Sequence, residues 1–138
     1  MAVEELVSVI AKMLTMMGLP RSCARVLAVL YAVGVPLSVK ELIDLTGYSR
    51  SSVFYAVKVL ESDNLLLRMR KGRVVVYKPA VSLARLLVET QARLLERARR
   101  VISKLVESGH GHENIVRLER ELRELAAKLF ELGGVIHC

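Results

Sequence analysis

Apolar residues recur at helical spacing from the start of the chain. Leu6, Val7, Ile10, Met13, Leu14 and Met17 fall on one stripe, and Gly18 supplies a stop, which predicts a first helix over 3–17. Met13, Met16 and Met17 read as core filler rather than a cofactor box. Pro20, a good first-turn residue, opens a second helix through Val26, Leu27, Val29, Leu30 and Tyr31 to Gly34, ahead of Pro36. It is apolar nearly all round, as a central core helix would be. Ser38-Val39-Lys40-Glu41 has the Ser-x-x-Glu form of a capping box, in which hydroxyl and carboxylate satisfy the orphan amides of a helix start. This third helix is short and ends at Gly47. Ser49 offers another N-cap, and Arg50 to Asp63 fits a fourth helix closed by Asn64, a residue that tolerates the left-handed conformation.

After Asn64 the period changes from helical to alternating. Leu65 to Arg70 and Arg73 to Tyr77 flank Lys71-Gly72 as strands flank a hairpin turn. A two-residue turn there would place Met69 opposite Val74 and Leu67 opposite Val76 on a buried face, with Arg70 opposite Arg73 outside; a longer, bulged turn would shift that register. From Ala80 the helical period returns. Ala84, Leu87, Gln91, Leu94, Ala98, Val101 and Leu105 follow a three-four spacing, widened by Leu83, Val88, Leu95, Ile102 and Val106 beyond a two-stranded coiled-coil seam. Ser108-Gly109-His110-Gly111-His112 breaks the pattern. A last helix then carries Ile115, Leu118, Leu122, Leu125, Leu129 and Leu132, with Gly133-Gly134 as its stop. The fold class expected is mainly α with a two-stranded β-wing: a winged helix-turn-helix followed by long C-terminal helices that fold back as a hairpin or pair across a dimer.

At about 100° per residue, the fourth helix has two distinct faces. Val53, Ala56, Val57 and Leu60 cluster toward a core, while Ser51, Tyr55, Lys58 and Ser62 point the other way. Small hydroxyls near a helix start allow close approach to a groove, and exposed first-turn amides favour phosphate.

Charge turns that geometry toward a partner. The chain has 138 residues and a formal charge of +7. Residues 1–48 are neutral in sum, 49–78 carry +5 and 79–138 carry +2. The excess is thus concentrated on the fourth helix and the hairpin, which points to nucleic acid. Arg70, Lys71 and Arg73 bring like charge to one tip, where an anion would neutralise it. The blander roles are a solvated helix face and a tip that blocks edge-to-edge strand pairing.

Other classes fit poorly. Hydrophobic residues make up 53% and charged residues 25%, a globular composition for about one domain. The longest charge-free stretch, Val26 to Val39, contains Gly34 and Pro36 and is too short to span a bilayer. The balanced charges of the C-terminal helices lack the basic stripe of a membrane-surface helix, so no membrane partner is expected. Met1-Ala2-Val3-Glu4-Glu5 is acidic where a secretory signal is basic. Cys23 and Cys138 form no disulfide framework, and a cytoplasmic location is expected. His110 and His112 with His137-Cys138 have metal-ligand residue types but sit in a glycine-rich turn and at a chain end, so no metal is expected. No cofactor loop, nucleophile elbow or His-Glu-x-x-His motif is present, and no enzyme is expected. Arg outnumbers Lys by 14 to 7, and Asn64, Gln91 and Asn114 are the only side-chain amides, a bias expected of a thermophile.

Pro36-Leu37-Ser38-Val39-Lys40-Glu41-Leu42, Thr46-Gly47-Tyr48-Ser49-Arg50-Ser51-Ser52-Val53, Leu60-Glu61, Asn64-Leu65-Leu66, Gly72-Arg73 and Tyr77-Lys78-Pro79 together resemble the winged-helix regulators of the TrmB and MarR/GbsR groups in a compact, archaeal-type form. Gly18-Leu19-Pro20-Arg21-Ser22 is similar to the GbsR-type lead-in. Asn64 departs from the Gly usual in these families, and the chain leaves no room for the large effector domain of full-length TrmB proteins.

The resemblance implies a winged helix-turn-helix at 18–79, flanked by an N-terminal helix at 1–17 and a C-terminal helical dimerisation region at 80–138. The expected function is a homodimeric regulator that binds double-stranded DNA sequence-specifically, with recognition helix 50–63 in the major groove and wing 65–78 on the backbone or minor groove. Its expected DNA contacts are Ser49, Arg50, Ser51, Ser52, Tyr55, Lys58, Arg68, Arg70, Lys71 and Arg73. Its expected dimer contacts are Leu87, Leu94, Val101, Leu105, Leu118, Leu122, Leu125 and Leu129, with the first helix joining them. No residue pattern identifies a small-molecule effector. The competing class is a winged-helix protein-interaction module, which would expose aliphatic anchors where this chain shows Ser, Tyr and Lys.

Overall fold

A computed structural model describes residues 2–137, with side chains described over 3–132. The order is α1 (Ala2–Met16), α2 (Arg21–Val33), α3 (Val39–Thr46), α4 (Arg50–Ser62), β1 (Leu66–Lys71), β2 (Val74–Pro79), α5 (Leu83–Glu107) and α6 (Glu113–His137). The chain divides after Val81 into two compact units.

The first unit is built around α2. Cys23, Ala24 and the run Val26 to Leu30 are buried, and α1, α3 and α4 all pack against this helix. Val7, Ile10 and Leu14 are the positions α1 buries, while Met16 is exposed, so only part of the methionine cluster fills core. Met16 lies two positions past Leu14, about 200° around the helix from it, which turns it outward. Val53, Ala56, Val57 and Leu60 of α4 are buried together, as the helical wheel predicts. The Cys23 thiol faces the Ala56 carbonyl of α4, and burial pushes its pKa up. The Tyr31 hydroxyl donates to the Val81 carbonyl at 2.8 Å, and desolvation raises its pKa to about 12. That bond ties the last residue of the unit to its central helix.

Local chemistry sets the helix ends. Gly34 and Gly47 adopt left-handed C-cap conformations, with φ of 79° and 72°. Asn64 adopts φ 60°, the one non-glycine residue with positive φ among those described. At the start of α3 the Glu41 amide donates to Ser38 Oγ and the Ser38 amide donates to Glu41 Oε1, both at 3.1 Å, completing the capping box. The hydrogen bond donated by the Ser38 amide holds the Glu41 carboxyl below the usual range.

The hairpin register differs from the one a Lys71-Gly72 turn would set. Met69 pairs with Val76, Lys71 with Val74 and Arg70 with Val75, so the two-residue turn is Gly72-Arg73. Gly72 has φ +65°, whereas Arg73 has negative φ, the pattern of a II′ turn with glycine first. A turn centred on Lys71-Gly72 would have forced the positive φ onto lysine. In the observed register Leu67 and Met69 are exposed rather than buried, and Leu66, Val76 and Tyr77 anchor the strand ends nearest the helices. Leu37 and Tyr77 exchange backbone hydrogen bonds of 3.0 and 2.8 Å, adding a bridge on the other side of β2.

In the second unit α5 and α6 pack as a helical hairpin within one chain. Ser82 caps α5 by accepting from the Arg85 amide. The helix α6 continues through Gly133-Gly134 to His137 rather than stopping there. Glycine costs about 1 kcal/mol inside a helix, a penalty that does not by itself end one. Leu95 and Ile102 are buried at 7% and 8% exposure, and Ile115, Leu122 and Leu129 are half-buried. In contrast, Leu94, Val101, Leu118 and Leu125 are 51%, 53%, 45% and 47% exposed. The expected dimer contacts therefore split between positions partly covered inside the chain and positions open to solvent.

Candidate nucleic-acid interface

The sequence from Ser38 to Lys78 folds into two helices joined by a tight turn, followed by a hairpin. The turn is Gly47-Tyr48-Ser49, and the Thr46 hydroxyl steadies it by accepting from the Tyr48 amide at 3.2 Å while donating to the Leu42 carbonyl. The Ser49 side chain accepts from the Ser52 amide at 3.2 Å and so caps α4. Its hydroxyl also donates to Ser52 Oγ at 3.0 Å and lies 3.2 Å from Ser51 Oγ. Three serine hydroxyls thus knit the helix start together. In the free protein Ser49 is occupied as a cap, and Ser52 is half-buried.

Beyond that cluster, Arg50, Ser51, Tyr55 and Lys58 are exposed on α4. They share the helix with the buried set, so the core fixes which way they point. Phe54 is exposed beside them, which the helical wheel left unassigned.

On the hairpin, Arg70, Lys71 and Arg73 are all exposed at the tip. Among the described residues, Arg50, Lys58, Arg70, Lys71 and Arg73 have no carboxylate within 4 Å. Lys71 is still close enough to α3 for its charge to help lower the Glu41 pKa. Arg68 stands apart. Its guanidinium donates to Glu61 Oε1 at 3.2 Å and lies 5.8 Å from the centre of the Tyr77 ring, so Glu61 and Tyr77 hold it still more firmly protonated. This Glu61–Arg68–Tyr77 arrangement joins the end of α4 to the wing, and helical periodicity alone did not reveal it. The signal for it was a carboxylate at the penultimate position of the helix and an arginine directly opposite an aromatic residue across the hairpin.

His110 lies 3.0 Å from the Ser108 hydroxyl through Nδ1. No group of three or more His, Cys, Asp or Glu residues that could hold a metal occurs among the described residues. The side chains of His137 and Cys138 fall outside those residues. Among the described residues no helix is long and apolar enough to cross a membrane.

Cap, turn, outward polar helix and basic hairpin define a winged helix-turn-helix. The model of the MarR family matches residues 17–71, which run from the lead-in of α2 to the end of β1. Among solved structures the chain is similar to one described as "Crystal Structure of a transcriptional regulator", with a TM-score of 0.56 and 17% identity over 99% of this chain and 94% of that one. At that identity the likeness speaks to the fold. No curated protein matches the sequence. The family match falls on the winged helix itself and supports a DNA-binding transcription regulator of MarR-like type.

Proposed function

We propose that the protein is a homodimeric transcription regulator that binds double-stranded DNA sequence-specifically, with α4 in the major groove and the wing on the backbone or minor groove. The observation that carries the reading is the unpaired charge of the first unit's helix and hairpin. Arg50 and Lys58 on α4, with Arg70, Lys71 and Arg73 at the wing tip, are exposed and lack an ion-pair partner within 4 Å among the described residues. Ser51 and Tyr55 present hydrogen-bonding groups on the same helix and suit base edges or phosphate oxygens. Ser49 and Ser52 contribute as the capped helix start, whose amides favour an approaching phosphate. Arg68 supports the wing through Glu61 and, once DNA competes for it, serves as a backbone contact.

The dimer draws on apolar surface that each unit leaves open. Leu94, Val101 and Leu105 of α5, and Leu118 and Leu125 of α6, are exposed; Leu87, Leu122 and Leu129 are half-buried alongside them. Val3, Leu6 and Val9 of α1 are exposed as well. Exposed apolar rows of this kind mark interaction faces. A two-fold pair would present two recognition helices about 34 Å apart, one turn of B-DNA.

The interaction-module reading rests on Leu67, Met69 and Val74, an exposed apolar row on the wing. Duplex titration at several salt concentrations separates the two. Phosphate contacts predict a steep linear fall of log affinity with log salt, and a loss of about 1–3 kcal/mol for Arg50→Ala. Arg73→Ala should lower affinity for all duplexes alike and flatten the salt slope. Absence of duplex binding at low salt would overturn the DNA reading.

A further inference from the structure

Residues 1–48 carry no net charge, yet the fold separates what the sum cancels. Lys12 of α1 and Arg21 and Arg25 of α2, three of the four bases in this segment, line one open cleft of about 550 Å³ with Ser8 and Tyr48. None of the segment's acids, Glu4, Glu5, Glu41 and Asp44, lines it. Ser8 and Lys12 lie one turn apart on α1, as do Arg21 and Arg25 on α2, so packing of the two helices sets two donor rows side by side. Lys12 and Arg21 are exposed, Arg25 is half-buried, and among the described residues none of the three has a carboxylate within 4 Å.

The hydrogen-bonding inventory is equally one-sided. The Thr15 and Thr46 hydroxyls in the lining already donate to the Ala11 and Leu42 carbonyls. What remains is three cations and the hydroxyls of Ser8 and Tyr48, a set of donors with no anionic acceptor among them. Gathering three like charges around one open cleft is unfavourable unless an anion occupies it. Three cations match a phosphoryl group or a diphosphate in charge, and the volume lies within the range of small-molecule sites.

We propose that this cleft binds a small phosphorylated molecule. Tyr48 immediately precedes Ser49, the cap of α4, so the occupant touches the turn from which the recognition helix starts. The consequence for operator affinity rests on the DNA-binding reading; the binding itself does not.

The test is an amide-resolved NMR titration of the full chain with inorganic pyrophosphate, without DNA, at constant ionic strength. Saturable shifts centred on Lys12, Arg25 and Tyr48 are expected. Lys12→Gln and Arg21→Gln, both at exposed positions, should each weaken the saturable phase about tenfold while leaving spectral dispersion unchanged. Non-saturating drift, or saturation only at Arg70, Lys71 and Arg73, would overturn the site. A duplex arm then identifies the source of phosphate. If pyrophosphate fails to saturate the cleft but the same variants weaken duplex binding and flatten its salt slope, the three cations are DNA-backbone contacts and the small-molecule site is refuted. Pyrophosphate saturation in a protein that binds no duplex would leave the cleft standing and remove the DNA reading instead.

Discussion

The central helix α2 buries seven of its 13 residues, whereas α5, almost twice as long, buries three of 25. Both helices are amphipathic or apolar enough to want cover, so the contrast lies in what covers them. In the first unit α1, α3 and α4 surround α2 and close a core that needs nothing further. In the second, α6 covers the row through Leu95 and Ile102 and leaves the adjacent row through Leu94 and Val101 in water. Two neighbouring heptad rows on one helix imply two partners. One is α6, and on the reading proposed above the other belongs to a second copy of the chain.

That contrast can be broken first at its closed end. Leu30→Ala removes a fully buried side chain from the centre of the first unit and should cost about 2–5 kcal/mol, read as a lower urea midpoint. A loss under about 1 kcal/mol would mean that α2 is less enclosed than its burial indicates. At the open end, Leu94→Glu with Val101→Glu should convert a dimer into a species of 15.4 kDa by light scattering and abolish the concentration dependence of Tm. A wild-type chain that already runs as a monomer would remove the second partner altogether.

Smaller effects sharpen the account of the first unit. Ser38→Ala deletes half of the capping box and should cost about 1 kcal/mol at neutral pH. The other half is pH-dependent. The Glu41 carboxyl sits below its unfolded value, so its contribution is present at neutral pH and disappears as pH falls through the folded pKa. The stability gap between wild type and Glu41→Ala should accordingly narrow in acid, and a gap independent of pH would contradict the cap. Tyr31 works in the opposite sense. Its folded pKa of about 12 lies above the unfolded value, so its contribution is whole below about pH 10 and fades as pH rises toward 12. Tyr31→Phe should lose roughly 1 kcal/mol at neutral pH and less in strong base, by denaturant titration.

What the sequence disclosed was local in origin. Ser38 with Glu41, Gly34, Gly47, Ser49 and Asn64 each satisfy or end a helix through groups within a few residues, so spacing alone places them. The faces of α4 follow from its period in the same way. The hairpin register depended on which residue takes positive φ, and a glycine in either central position is compatible with the same alternation. The sequence placed Arg68 among groups free for DNA, and only the meeting of α4 with β1 shows Glu61 and Tyr77 around it. Lys12, Arg21 and Arg25 were hidden further still, because a sum over 48 residues cancels charges that packing sorts into a single cleft. The signal was present in the one-turn spacing of each donor pair; the adjacency of the pairs was not.

The hairpin register also sets the terms on which this region can change over evolutionary time. From Leu67 to Val74 the wing projects past the last core contacts, so its length is decoupled from the stability of the helices. Adding one residue to each strand would extend the tip by about 3.4 Å but exchange its two faces, swapping the sides on which Arg70 and Lys71 stand. Adding two to each would extend it by about 7 Å and return every side chain to its original face. Insertions in the wing should therefore be tolerated in paired, even steps, with Gly72 carried along at the bend.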